Sequence, residues 1–186
     1  QRYGLASTLN RGVRLSKGQF IAFMDPQGTA LKSRIAKQVS FLMKNPKVAA
    51  VGTQITVLGK NNRKLDQSQF PENHDEIYSQ LLTGTSIKFE TAIVYKTRLP
   101  NDILKFKRNT HYPFVYAHVF MKIGVFGQIA NLKENLVAMR EDNRESKELI
   151  NIQKKLSFIK LLFESTTIYQ YKPSLKSLFS PILRQG

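Results

Sequence analysis

Cysteine is absent from all 186 residues. That excludes a disulfide framework, a thiolate metal site and a cysteine nucleophile, and it fits a reducing compartment. No stretch approaches the roughly 20 consecutive apolar residues that a spanning helix requires. Residues 1–20 lack a charged start followed by a long apolar run, so no secretory signal is expected. There is no internal repeat, low-complexity tract, Gly-rich phosphate loop or serine-elbow motif. His74, His111 and His118 stand singly, without the H-x-x-x-H or H-E-x-x-H spacing of a zinc site. Acid is scarce as well: 13 Asp+Glu face 29 Lys+Arg, a formal net charge of +16. Such a balance favours polyanions, among them nucleic acid, anionic lipid headgroups and nucleotide phosphates. The lysines are scattered and form no arginine-rich run, so a merely solvated surface is the alternative.

What is present is an ordinary globular balance, 41% hydrophobic and 10% aromatic, in a chain long enough for one domain with a real core. Leu5, Leu9 and Val13 lie four apart, one face of a helix, which Ser16-Lys17-Gly18 ends. Phe20-Ile21-Ala22-Phe23-Met24 is too short for a helix and reads as a strand buried on both faces, as in a parallel sheet. Asp25 then falls at its carboxyl end, where open α/β sheets bind ligands. Leu31, Ile35, Val39 and Leu42 recur at helical spacing, with Thr29 as the cap and Asn45-Pro46 as the stop.

Val48–Val51 and Gln54–Leu58 read as two strands, followed by turn residues at 59–62 and a polar loop to 75. A short helix is expected over Asp75–Leu82 and a strand over Thr91–Tyr95, with an irregular stretch at 99–113. Val115–Ile123 is expected to be helical, and 129–132 and 136–139 to be short strands. Beyond residue 143 Ile152, Leu156, Ile159 and Phe163 form a helical stripe in a basic amphipathic tail, broken at Pro173, with a further short helix at 175–183. The order of elements predicts an α/β fold with a mixed sheet.

Three segments, in order, resemble family 2 glycosyltransferases. The first is Gly4-Leu5-Ala6 through Leu9-Asn10-Arg11-Gly12 and on to Lys17-Gly18-Gln19-Phe20-Ile21-Ala22-Phe23-Met24-Asp25, similar to the helix and strand that enter the DxD-type motif. The second runs from Arg34 to Gly52 and includes Lys37-Gln38-Val39, Phe41-Leu42 and Asn45-Pro46. The third is Gly127-Gln128-Ile129-Ala130-Asn131-Leu132 through Leu136-Val137, with Arg140 just beyond. The resemblance implies a GT-A-like, Rossmann-like mixed sheet flanked by helices, incomplete at its N-terminus because the family's opening strand and acidic turn precede these segments. It divides the chain into a partial GT-A domain at 1–142 and a helical extension at 143–186.

The resemblance also implies chemistry. Members move a sugar from a nucleotide-sugar to an acceptor, with magnesium or manganese held at the DxD-type motif against the diphosphate and a later carboxylate as base. On that basis Asp25, Gln27 and Arg140 are the expected nucleotide-sugar contacts, with Asp25 the expected metal ligand. This chain departs from the pattern where it reads Asp25-Pro26-Gln27-Gly28, since only the first acid of the motif remains. The later acidic pair falls near Val115 and Tyr116, neither of which can act as a base. His118 is the substitute nearest that position, against the plainer role of a hydrogen-bonded structural histidine. Glu90-Thr91 replaces a histidine–proline pair on the acceptor side. Glu141 or Asp142 could supply a base only if the fold returned them to the cleft.

The expected role is therefore hexose transfer to a glycan or lipid-linked acceptor in surface polysaccharide synthesis, with activity impaired by the replaced acids. The expected place is the cytoplasm at the inner face of the membrane, with peripheral contact through the tail, Phe158, Leu162 and Phe163 entering the lipid. Packing of that tail on the main domain is the alternative. A non-catalytic glycan- or partner-binding module is the competing function. A nucleic-acid binder ranks last, because no arginine–aromatic interleaving or helix-turn-helix pattern accompanies the charge, and no specific nucleic acid is expected.

Overall fold

The computed structural model describes residues 4–84, 86–108, 114–140, 152–175 and 177–178. In chain order the main elements are helix α1 (Leu5–Leu15), strands β1 (Phe20–Ala22) and β2 (Thr29–Ala30), helix α2 (Arg34–Lys44), strands β3 (Val48–Leu58) and β4 (Lys64–Gln67), and helix α3 (His74–Ser79). Strand β5 (Ile93–Tyr95), helix α4 (Phe114–Phe126), strand β6 (Gln128–Arg140) and helix α5 (Ile152–Ile168) complete them. The sheet runs β1-β5-β3-β6-β2, with β4 also paired to β3. β3 and β6 are parallel and every other pairing is antiparallel, so the sheet is mixed, as predicted.

β3 and β6 form the spine. Each was expected as two short strands, and each is one long strand, because the parallel ladder absorbs the intervening polar residues at register shifts around Thr53, Gln54 and Ile55. β3 is buried from Val48 to Ile55, apolar and polar residues alike. Its buried Gln54 holds the following loop, donating to Phe70 O (2.9 Å) and accepting from Ser68 Oγ and Phe70 N. Part of the stretch expected as loop is β4. β1 differs more from expectation. It pairs antiparallel with β5 at the sheet's edge, so Ile21 and Phe23 are buried while Ala22 and Met24 are exposed.

α2 buries only part of the face that its apolar spacing predicts, Leu42 and in part Val39. Leu31 and Ile35 are 55% and 49% exposed, whereas Arg34, Gln38 and Leu42 are buried. The cause is the backbone beneath the helix. Arg34 Nη2 donates to Phe23 O (2.7 Å) and its Nε to Gln38 Oε1 (2.9 Å). Gln38 Nε2 donates in turn to Val51 O (2.7 Å) and Thr91 O (2.9 Å). Three carbonyls from three chain segments thus find donors that leucine and isoleucine could not supply. At the other end of the helix Arg98 Nη1 caps Leu42 O, Asn45 O and Val48 O while its guanidinium stacks on Tyr95.

One apolar core joins β1, β5, α3, α4 and α5. α5 packs on α4 through Phe158 against Phe114 (5.6 Å between rings), and the Lys107–Glu164 ion pair (2.6 Å) closes one side. Tyr171, 2% exposed, donates to Ser79 O. From Phe158 to Tyr171 the described segment is therefore packed against the domain. The 142/143 boundary and residues 179–186 lie outside the described residues. His118 faces this α4–α5 seam, 7% exposed, with Nε2 3.4 Å from the Tyr169 hydroxyl. Burial, with help from Lys122 and Lys107 and against Glu164, lowers its pKa to about 4.

Two predictions follow from these buried polar groups. Gln38→Leu strips donors from Val51 O and Thr91 O and an acceptor from Arg34, and it should cost ~2–4 kcal/mol in urea unfolding. Ile35→Ala, on the exposed face of the same helix, should stay within ~0.5 kcal/mol. The second concerns pH. A histidine whose folded pKa is about 4 but whose unfolded value is about 6.5 favours folding fully above the unfolded value. That contribution is lost as pH falls through the folded one. The urea midpoint should therefore drop less between pH 7.5 and pH 5 in His118→Asn than in the parent.

Candidate active site

The carboxyl end of β1 is where the candidate site is built. Phe23 N donates to Ala92 O (2.9 Å), the last bond of the ladder that begins at Phe20↔Tyr95. From there the two chains part. Asp25 enters a turn in which its Oδ1 accepts Gln27 N–H (2.7 Å) and its carbonyl accepts Gly28 N–H (3.0 Å), an Asx-type arrangement that Asp followed by Pro favours. The turn delivers the chain to β2, whose Thr29 and Ala30 pair with Ala138 and Val137 of β6. At Gly28 a Cβ would meet Ala138 O at an ordinary contact distance of 3.6 Å.

Three of the sequence-predicted site residues share this rim. Asp25 is half-buried and Gln27 exposed. Arg140, also exposed, stands two residues past the β6 partner of Thr29 and donates to Asn62 Oδ1 (3.3 Å). His118 does not join them. It faces α5 on the side of α4 away from the cleft, whereas Tyr116 and Ala117 line the cleft. His74 is occupied elsewhere, its Nδ1 accepting Ile129 N–H and its ring stacked on Tyr78. His111, Glu141, Asp142 and Glu145 lie outside the described residues.

Below the rim is a shallow cleft lined by Ser86, Lys88, Phe89, Glu90, Tyr116 and Phe120, among others. Its floor is aromatic. Phe89 stacks on Tyr116 (4.0 Å, 8° between planes) and meets Phe23 at 4.2 Å. A second support is Asn131 of β6, whose Nδ2 donates to Pro71 O and Ser86 O. Gly52 makes room for it, since a Cβ there would collide with Asn131 Oδ1. Tyr116 stands at the position where the resemblance calls for an acid. Burial raises its phenol well above the ordinary value, and Glu90 and Asp25 raise it further. It therefore stays protonated, a donor and not a base, at any physiological pH.

Two structural features around the site escape a reading of the sequence alone. One is the Arg34–Gln38 pair, which ties Phe23, two residues before Asp25, to Thr91, one residue after Glu90. The other is the place of Glu90 beside the end of β1, which depends on the antiparallel pairing of β1 and β5. The usable signal was the pair of short apolar runs ending in Asp25 and beginning just after Glu90. Among the described residues no group of three or more His, Cys, Asp or Glu could enclose a metal ion. A cation here would have to rest on Asp25 together with oxygens of a ligand and water, a donor set that suits magnesium, which typically takes one or two protein carboxylates plus phosphate.

Comparison with known proteins is consistent with this geometry. Over 178 residues the chain is 26% identical to an uncharacterized glycosyltransferase of Haemophilus influenzae, covering 91% of this chain and 54% of that protein. The chain thus spans about half the length of that relative. Among solved structures, S. aureus TarS residues 1–349 superposes with a TM-score of 0.55 at 16% identity, covering 99% of this chain and 59% of that one. The same protein in complex with UDP-GlcNAc gives 0.52 at 15% identity, over 94% and 58%. At these identities the structures establish a shared GT-A-type fold. The family described as glycosyl transferase family 2 matches residues 1–126, more than half of the chain, and the chain therefore belongs to that family.

Proposed function

We propose that this chain is the nucleotide-sugar-binding part of a hexosyltransferase that acts on a glycan or lipid-linked acceptor in surface polysaccharide synthesis. The observation that carries the reading is the position of Asp25. It stands at the carboxyl end of β1 in a turn pinned to β6, with the buried Arg34 locking the backbone two residues before it. Asp25 would hold magnesium or manganese beside the diphosphate, and Gln27 would offer a neutral carbonyl next to it. When bound, that cation neutralises charge on the leaving diphosphate. Arg140 would pair with a phosphate from the β6 side, its five donors suited to that contact. TarS was solved with UDP-GlcNAc and with UDP, which supports uridine nucleotides as the first donors to try.

A second, compatible reading concerns the membrane. On α5 Phe158 and Leu161 turn inward, while Ile159, Phe163 and Ile168 are 59%, 69% and 65% exposed. Leu175 beyond the helix is 75% exposed. Lys160 shares the exposed surface, and the chain carries a net +16. Apolar side chains beside excess positive charge are the requirements for binding an anionic bilayer in its interfacial plane. A lipid-linked acceptor would be met there, at the cytoplasmic face. Among the described residues no helix is long and apolar enough to cross a membrane.

Calorimetric titration with UDP and UDP-sugars, with and without manganese, tests the first reading. Metal-dependent binding is expected, weakened at least about tenfold, or ~1.4 kcal/mol, in Asp25→Ala. A folded sample that binds none of them would leave a non-catalytic binding module as the function. Flotation with phosphatidylglycerol-containing vesicles tests the second. Binding should fall with added salt and be lost in Ile159→Glu/Phe163→Glu, whereas equal flotation of that variant would rule α5 out as the contact.

A further inference from the structure

We propose that Glu90 is the general base of this chain, taking over the task of the acidic pair whose place Val115 and Tyr116 occupy. The inference rests on the transferase reading above and adds the residue that would activate the acceptor.

The argument begins with register. β1 and β5 pair as Phe20↔Tyr95, Ile21↔Val94 and Ala22↔Ile93, and the bond from Phe23 N to Ala92 O continues the series. In each pair the two residue numbers have the same sum. Asp25 and Glu90, two residues further along each chain, keep that sum. Both residues therefore lie two positions beyond the last bonded pair, Asp25 in its turn and Glu90 in a 3₁₀ turn, each within about 7 Å of chain from that pair. Their surroundings agree. Glu90 lines the cleft, half-buried, and both carboxylates act on the phenol of Tyr116.

Its placement is also rigid. Glu90 lies in the single 3₁₀ turn Phe89–Thr91. Thr91 fixes that turn on three sides: its Oγ1 donates to Lys88 O (2.7 Å) and accepts Thr53 N–H (3.2 Å), and its carbonyl accepts Gln38 Nε2. The ring of Phe89 is clamped between Phe23 and Tyr116. A base held this firmly meets the positional demand of proton transfer.

The other groups at the cleft are unsuited to the task. Tyr116 keeps its proton, His118 faces α5, and Asp25 stands outside the lining of the cleft. Among the described residues that line the cleft, Glu90 is the carboxylate. The step it would serve is balanced as written. The acceptor hydroxyl oxygen attacks the anomeric carbon of the donor while Glu90 takes the hydroxyl proton. The new glycosidic C–O bond forms as the bond from the anomeric carbon to the diphosphate oxygen breaks, and the electron pair leaves with the nucleoside diphosphate.

The test uses the full 186-residue chain, manganese and the UDP-sugar shown by calorimetry to bind, with release of UDP as the readout and water as the default acceptor. Glu90→Gln should keep its thermal melt and its nucleotide affinity yet lose turnover by about 100-fold or more. The acidic limb of the pH–rate profile should vanish with it. Glu90→Asp should retain part of the rate with the limb intact, and formate should restore some turnover to Glu90→Ala. Full activity in Glu90→Gln, or a parent chain that binds donor but never turns it over, overturns the inference and leaves the donor site standing. Loss of metal-dependent nucleotide binding in Glu90→Gln overturns it too, by making Glu90 a donor-site residue. A parent chain that binds no nucleotide removes the transferase reading itself.

Discussion

A buried guanidinium and a buried carboxamide hold this domain in register. Arg34 is 1% exposed and Gln38 fully buried, and among the described residues no carboxylate accompanies the charge. Taking a guanidinium out of water is costly, and burial lowers its pKa accordingly. The compensation comes from acceptors: a strand-end carbonyl at Phe23 and the amide oxygen of Gln38. The sheet needs these donors because β1 and β5 are only three residues each, and their carbonyls run out of partners just where the chains separate. Remove the pair and Phe23 O and Thr91 O lose the donors that α2 supplies, leaving β5 held to β3 only by its own ladder and by the Thr53–Thr91 bond.

The same constraint explains why the site is where it is. A parallel strand closes its hydrogen bonds along its length and leaves ligand chemistry to the loops beyond. Here a short antiparallel pair ends early, and its two chains diverge around a cleft whose floor is a run of stacked aromatic rings. Backbone freedom at the rim is then spent on turns: an Asx-type turn at Asp25 and a 3₁₀ turn at Glu90. Each is tied on its far side, the first to β6 by β2 and the second to β3 by Thr91. One carboxylate, Glu90, thus lines the cleft while Asp25 stands in the turn beyond β1, each held by a short, tied segment.

Much of this was legible from sequence, and the limits have physical causes. The α/β class, a helix expected over Val115–Ile123 and found at Phe114–Phe126, and Asp25 at a strand end all follow from apolar patterning and breakers, and the three quoted segments sufficed for the family. Periodicity misplaced part of α2's buried face because it scores leucine and isoleucine as inward, whereas burial of Arg34 and Gln38 is decided by carbonyls on remote segments. It divided β3 and β6 because Gly52-Thr53 and Lys133-Glu134-Asn135 read as interruptions, although the parallel ladder runs on past them. Glu90 was named only as part of a replaced acceptor-side pair. Its nearness to the end of β1 depends on strand direction, and Phe20–Met24 by itself does not distinguish a parallel interior strand from an antiparallel edge.

The scarcity of acid and the erosion of the family's acidic motifs express one electrostatic choice. A cleft with several carboxylates repels a diphosphate until a divalent cation neutralises them, so affinity is carried by the metal. With 13 acidic residues against 29 basic ones, the field over this chain already favours a polyanionic ligand, and Lys88 and Arg140 border the cleft and its rim. Fewer acids then mean weaker cation binding and stronger direct attraction for phosphate, with a correspondingly steeper dependence on ionic strength. A cleft with one lining carboxylate beside Lys88 repels a polyanion less than one lined by several, so the positive field and any bound cation act in the same direction.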